Sequence, residues 1–429
     1  MYSNEVKGGS AKARPAPAEL YGRSGFAPLQ LSDNPTHLHL SNQEIRPTNG
    51  VRRNMNYFPH KIIRFFIRII AQIIPLGNYV VFESCPDYSD NSKSVFDEMI
   101  KRKSLEKYKM IWLCVNPPTI KSSKNTLFVQ RKSIRGLYYR IRAKALLCCN
   151  RFVEPYRSKQ FAINLSHGTP IKAIGSYRIP TSIRYSLAAS PKTAEILMEL
   201  FSLEKDQVIP LGLPRNDDIS KYKVDLRQVF KTDFDKVVIW LPTFRQHRSG
   251  SKTGSNHAIP LLWDNKNIKT INDTCSRLHI LLVIKPHYAQ DVSFITELNT
   301  SNILIIDDDF IKNNNMTLNS FLGGTDALLT DYSSVYFDYT LCNKPIGLIW
   351  EDIEQYKKNP GFSIDLDYAM KGGQKIYTID DLLNFFIMLS KNEDFLLKER
   401  CEVRDVFNIS TDGQNSKRAV DFIIKAAHL

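Results

Sequence analysis

Two α/β units, each a parallel sheet flanked by helices, are what this chain of 429 residues predicts. Three observations carry the expectation. From Asn78 onward short β-rich runs alternate with helical patterns, as parallel strands joined by helical crossovers require. The alternation pauses at a charged segment near 220–235 and then resumes. At 43% hydrophobic and 24% charged residues, a chain of this length can also bury two substantial cores.

Taken in order, residues 1–54 hold five prolines and five glycines without sustained periodicity, so they read as a disordered leader, an appended tag or an extended reading frame, with Met55 a candidate natural start. Residues 55–76 follow as a basic amphipathic helix. Lys61, Arg64, Arg68 and Gln72 share one stripe, and isoleucines and phenylalanines cover the rest. Such a helix is either an in-plane membrane anchor drawn to anionic headgroups or a terminal helix packed on the first unit.

The first unit, 77–230, contains the runs NYVVFES, KMIWLCV, KALLCC, FAINLS, YSLAAS and VIPLG, with helices near 92–102 and 191–201. The second, 231–410, contains KVVIWLP, HILLVIKP, NILIID, DALLTD and PIGLIW, with helices over 266–277 and 333–342. A polar loop, QHRSGSKTGSNHA (246–258), is expected over the cleft between them. Residues 411–429 read as a C-terminal helix returning to the first unit.

The net charge of +14 implies an anionic partner: nucleic acid, anionic lipid or a phosphate-rich substrate. The basic run from Arg131 to Lys144, interleaved with Tyr138 and Tyr139, fits any of these or a solvated face. Seven cysteines without a CxxC pair or zinc-finger spacing read as reduced core thiols of a cytoplasmic protein. No signal peptide is visible, and no uncharged apolar run reaches the ~18 residues a membrane span needs.

Neither GxGxxG nor GxxxxGK[ST] occurs, so any nucleotide phosphate must be held another way. Five strand-end clusters offer themselves. SHGTPIK (166–172) puts His167 after the apolar run FAINL, where ligands bind in open α/β sheets, with Gly168 allowing close backbone approach and Thr169 beside it. A histidine there can take the proton of an attacking hydroxyl. KPH (285–287) brings Lys285 and His287 to another strand end, suited to a departing phosphate; LPTFR (241–245) brings Thr243 and Arg245, whose guanidinium can grip phosphate oxygens or form a buried ion pair.

LLTDYSSVYFDY (328–339) reads as a buried strand ending at Thr330, a turn at Asp331, and an amphipathic helix opened by Ser333 and Ser334. Hydroxyls and free N–H groups at such a helix start form an anion site, though serine is also an ordinary cap. LGLPRND (211–217) supplies Arg215 with Asp217, for substrate contact or for fixing a turn.

In this order, SHGTPIK, LGLPRND, LPTFR, KPH and LLTDYSSVYFDY resemble the CDP-glycerol glycerophosphotransferase family, which primes or polymerises teichoic acids and related capsular phosphopolymers; the likeness covers roughly residues 78–410. The resemblance implies a GT-B architecture, two Rossmann-like domains with the active site in the cleft, the first taking the acceptor and the second the CDP-donor. It implies that His167 is the general base and that His287 assists the donor phosphate. Arg245, Thr330, Ser333 and Ser334 fall on positions similar to those that hold the donor diphosphate. Departures from the family pattern are Ser166, Tyr288 and NPGF (359–362).

The expected reaction is attack of an acceptor hydroxyl on the β-phosphorus of CDP-glycerol, releasing CMP, at the cytoplasmic face of a membrane. The acceptor is a lipid-linked polymer precursor, the membrane surface is anionic, and no nucleic-acid partner, resident cofactor or metal-ligand site is expected; the reaction is read as metal-independent or weakly metal-dependent, with Mg left open but not implied by the sequence. Alternatives are transfer of ribitol phosphate from CDP-ribitol, a GT-B glycosyltransferase using a nucleotide sugar, and a basic membrane-surface or nucleic-acid binding protein with structural histidines.

Overall fold

The computed structural model describes residues 57–118, 123–173, 178–221, 224–243, 259–262, 264–286 and 300–429. The expected leader 1–54, Arg245, the polar loop 246–258 and His287 lie outside them.

The described residues form two all-parallel sheets. The first joins β1 (Tyr79–Glu83), β2 (Lys109–Cys114), β3 (Thr126–Gln130), β4 (Ala145–Cys148), β5 (Phe161–Asn164), β6 (Tyr185–Ala188) and β7 (Val208–Pro210) in the order β3-β2-β1-β4-β5-β6-β7. The second joins β8 (Lys236–Trp240), β9 (Ile280–Ile284), β10 (Ile303–Ile305), β11 (Ala327–Thr330), β12 (Ile346–Ile349) and β13 (Gln374–Ile376) in the order β10-β9-β8-β11-β12-β13. Strand order reverses beside the first strand of each, between β1 and β4 and between β8 and β11. Ligands enter such sheets at those reversals, past the carboxyl ends of the strands.

Helices cover both faces of each sheet, which is why the strands are continuous apolar runs rather than alternating ones. Val80, Phe82, Trp112 and Leu147 face one core of the first sheet, and Val81, Ile111, Leu146 and Ala162 face the other. Phe82 stacks on Trp112 with ring centroids 5.2 Å apart. In the second sheet Ile239, Leu328 and Leu348 line one core while Val238, Leu282 and Ile349 line the other.

The two halves share packing. Ile171, just past the HGTP segment, and Ile196, on helix Pro191–Phe201, are buried in a core cluster of the second sheet. From the opposite end of the chain, helix Asn415–Ala427 lays Ala419, Val420 and Ile423 into a core of the first sheet. Its start is capped by the buried Asp217, whose carboxylate accepts the Asn415 and Ser416 N–H groups at 2.8 Å each.

Part of the basic run 131–144 is built in, while Lys132 and Arg135 are exposed. Arg131 and Arg140 both donate to the buried Glu83, at 3.1 and 2.8 Å, and Arg142 lies over the rings of Tyr79 and Tyr138. Burial pushes the Glu83 carboxyl up while Arg140 pulls it down. Cys114, Cys148, Cys149 and Cys275 are buried free thiols.

Candidate active site

Every strand-end segment singled out in the sequence that falls within the described residues lies past the carboxyl end of a strand, and several meet. The point of meeting is a buried cluster of charges that the motifs only half revealed.

Its first member is Asp90, which opens helix Asp90–Met99 after β1 with a left-handed φ of 59°. One carboxylate oxygen of Asp90 accepts from an Arg215 amino group at 2.9 Å, and the other lies 2.7 Å from Nδ1 of His167 and accepts from Asn150 at 3.1 Å. A carboxylate at that distance requires a proton on Nδ1, so the neutral imidazole keeps its Nε2 lone pair available. The His167 side chain is 65% exposed, unlike its supports. Burial alone would push the Asp90 carboxyl up; Arg215 and His167 overcome it and hold the group well below the usual carboxylate range.

Arg215 sits in the short 3-10 turn Pro214–Asn216 after β7, and its second amino group donates to Asp338 at 2.7 Å. Asp338 belongs to helix Val335–Tyr339 of the second sheet and also accepts from Asn216 at 2.9 Å. The carboxylates outweigh the desolvation of Arg215, holding its guanidinium charged. Arg215, expected at the substrate or a turn, therefore ties the first sheet's histidine to the second sheet's helix. The Arg215 backbone N–H also donates to Asn91, whose amide donates to the Leu165 and Ser166 carbonyls, so the HGTP segment is held from beneath.

Gly168 explains how closely the halves approach. Its φ is +132°, and a Cβ there would lie 2.8 Å from Ser334 Oγ and 3.1 Å from the Arg215 guanidinium. Only glycine fits both the backbone and the space. Gly168→Ala is expected to push the segment away from Ser334 and lower turnover by about 10- to 100-fold, since misplacing a reacting group by about 1 Å costs that much. Steady-state rates beside a thermal unfolding curve check it.

The other predicted residues divide. Thr169 is buried and its hydroxyl bonds that of Thr193 at 2.9 Å. The fully buried Thr330 hydroxyl donates to the Leu241 carbonyl at 2.9 Å, so it holds two strand ends together. Asp331, also buried, accepts the Thr243 N–H at 3.0 Å and the Thr243 hydroxyl at 3.0 Å and thereby shapes the turn at the β8/β11 reversal. Lys285, at the end of β9, pairs with Asp308 at 2.8 Å.

The helix after Ser333 and Ser334 is neither long nor amphipathic. It has five residues, all buried, and runs into a 3-10 turn, with no side-chain cap from Ser334. The expected anion site at its start therefore rests on the segment's position, facing Gly168, rather than on a long helix dipole. Ser333 stands on the same turn. Arg245 and His287 lie outside the described residues.

Asp90, Cys149 and His167 form the one group of metal-ligand types found close together among the described residues. It is poorly made for a cation, because the Arg215 guanidinium already sits on Asp90 and the Cys149 thiol donates to the Ser166 carbonyl at 2.8 Å. Burial pushes that thiol well above its ordinary value, so it stays protonated.

His167, its Nδ1 side held by Asp90, stands where the HGTP segment of the first sheet meets the Ser334 turn of the second. That makes the junction of two parallel sheets the candidate site of an α/β enzyme. A family model described as CDP-Glycerol:Poly(glycerophosphate) glycerophosphotransferase matches residues 66–425, and the chain belongs to this family of enzymes.

Among curated proteins, the chain is similar to the teichoic acid glycerol-phosphate transferase of Staphylococcus aureus (strain NCTC 8325 / PS 47), 24% identical over 390 residues, covering 82% of this chain and 94% of the relative. It is also similar to the teichoic acid poly(glycerol phosphate) polymerase of Bacillus spizizenii (strain ATCC 23059 / NRRL B-14472 / W23), 24% identical over 345 residues, with 73% and 84% covered. The teichoic acid ribitol-phosphate primase of the same organism is 25% identical over 252 residues, covering 56% of this chain and 58% of the primase. In fold it is similar to the wall teichoic acid polymerase TagF, with a TM-score of 0.67 at 22% identity over 86% of this chain and 96% of that one.

Proposed function

We propose that the chain transfers glycerol phosphate from CDP-glycerol to a hydroxyl of a membrane-linked teichoic-acid or capsular polymer precursor, releasing CMP. The observation that carries this reading is the His167–Asp90 pair at the meeting of the two sheets, in a chain of this family. Nε2 of His167 takes the acceptor's hydroxyl proton as its oxygen bonds the β-phosphorus; the bond to the bridging oxygen breaks, and its electron pair leaves with CMP. Asp90 holds the imidazole in the accepting tautomer and stabilises the imidazolium that forms.

The architecture is read as GT-B, with a boundary near residue 230, the acceptor held by the first domain and the donor by the second. Ser333, Ser334, Lys285, Arg245 and His287 are assigned to the donor diphosphate, where positioning and charge provide most of the acceleration. Thr243, Asp331 and Thr330 are assigned to shaping the turn beneath it. Support comes from the convergence of strand ends at Gly168 and Ser334.

The enzyme is placed at the cytoplasmic membrane face as a peripheral protein. No helix among the described residues is long and apolar enough to cross a membrane. In helix Tyr57–Ile73, Arg68 and Gln72 turn toward the body, Arg68 lying 3.7 Å from Glu154 and Gln72 donating to the Tyr156 carbonyl. Phe65, Phe66, Ile69, Ile70 and Ile73 face outward, each at least half exposed. An apolar arc on that side suits insertion into a headgroup layer. Replacing Phe66, Ile69 and Ile73 together by serine should lower binding to anionic vesicles at least about tenfold in a flotation assay, since each buried side chain is worth roughly 1.5–3 kcal/mol.

The ribitol alternative stands beside the first because the relatives include proteins named for each polyol. Incubation with CDP-glycerol, CDP-ribitol and UDP-sugars in parallel, with a lipid-linked acceptor, separates them. CMP release from CDP-glycerol alone is expected; release only from CDP-ribitol moves the assignment to that donor, and turnover only of a nucleotide sugar rejects polyol-phosphate transfer.

A further inference from the structure

The charged cluster does not balance. Asp90 and Asp338 contribute two carboxylates, Arg215 one guanidinium, and neutral His167 nothing. The three charged side chains are nearly sealed, at 9%, 4% and 11% exposure, and the exposed group among the four is His167. Buried charge is tolerated only when paired, so the two carboxylates depend on the one guanidinium that joins them.

Asp338 creates that imbalance. Were Asp90 the sole partner of Arg215, guanidinium and carboxylate would cancel, and the guanidinium would be held from one side only. Asp338 takes the second amino group at 2.7 Å and comes from helix Val335–Tyr339, the helix that Ser334 precedes and whose start meets Gly168. Asn216 holds it from the other side, at 2.9 Å, and is itself held by Asn319 at 3.0 Å. The carboxylate is thus fixed at the junction, not left to rotate. The Arg215 Nε is buried without a hydrogen-bond partner, so both bonds of the guanidinium to carboxylates run through its two amino groups.

We infer that Asp338, acting through Arg215, is a positioning residue for His167, so that the first sheet's proton acceptor is completed by a carboxylate of the second. This rests on His167 being the proton acceptor. The consequence is that the Asp90 carboxylate behind His167 is braced on both sides only where the two sheets are docked at Gly168 and Ser334, which ties proton removal to the half that is assigned the donor.

The test compares wild type, Asp338→Asn, Arg215→Lys, the double variant and His167→Ala with CDP-glycerol and a lipid-linked acceptor. It measures kcat, KM for donor, and the 15N imidazole spectrum of His167, identified by its loss in His167→Ala. For Asp338→Asn the expected result is a kcat lowered at least tenfold, a donor KM within about threefold of wild type, and an altered His167 signal in protein that still unfolds cooperatively, at a lowered midpoint. The double variant should be little worse than the worse single one, because residues that act as a unit are not additive.

A donor KM raised tenfold with kcat kept would make Asp338 or Arg215 a substrate contact and overturn the inference. So would an unchanged His167 signal and kcat in Asp338→Asn. Should Asp338→Asn fail to fold, Arg215→Lys decides by the same readouts, since it keeps the charge while losing the two-armed geometry. If His167→Ala itself retains full turnover, the reading of His167 as base has failed, an outcome distinct from His167→Ala being inactive while Asp338→Asn is normal.

Discussion

His167→Ala is expected to lower acceptor-dependent transfer by about 10²- to 10⁴-fold, the range a positioned general base supplies. Donor binding should be nearly unaffected, because His167 stands on the first sheet and the donor is assigned to the second. The fold should survive as well: the side chain is 65% exposed, and its one strong bond is to Asp90, which keeps Arg215 and Asn150 as partners. Equal donor KM with collapsed kcat, at an unchanged unfolding midpoint, is the pattern to look for. A variant that loses donor affinity instead would place His167 on the diphosphate.

Arg215→Met has the largest expected effect on stability. It leaves Asp90 and Asp338, at 9% and 4% exposure, without the cation between them, and breaking a buried ion pair from one side costs about 3–5 kcal/mol. The sign with pH follows from Asp90. Its folded carboxyl is held below the unfolded value near ~3.9, so its contribution is present above that value and is lost as pH falls through the depressed one. Without Arg215, burial pushes the group up and the neutral-pH contribution disappears. The gap between wild type and variant in urea unfolding should therefore be widest near neutrality and narrow toward acid pH.

The sheets were legible because parallel strands covered on both faces must be apolar throughout, and KVVIWLP, HILLVIKP and DALLTD are apolar whichever face is examined. β3, Thr126–Gln130, and β13, Gln374–Ile376, were not read: each is short and bordered by polar residues, so periodicity had nothing to fix on. The placement of the histidine and glycine of SHGTPIK past a strand end was legible because an apolar run followed by a polar, glycine-containing turn marks one.

Asp90 and Asp338 were missed for different reasons. Asp90, in YSDNSKS, looks like any polar loop residue, and what matters is a turn that points it back under His167. Asp338 carries a usable signal: a lone carboxylate within VYFDYTL, amid side chains that must be buried, needs a cation, and Arg215, read as a substrate or turn residue, is the one that meets it. An amphipathic helix has a polar face that a lone carboxylate can occupy, whereas all five residues of this one are buried. The basic run 131–144 was misleading in the opposite way. Its arginines looked free because Glu83, which binds two of them, is 48 and 57 residues distant in sequence.

The most direct test of the account is release of CMP from CDP-glycerol by wild type and His167→Ala, each with and without a lipid-linked acceptor. The account predicts release that requires acceptor and wild-type His167 together. Acceptor-dependent release by His167→Ala at the wild-type rate would contradict it.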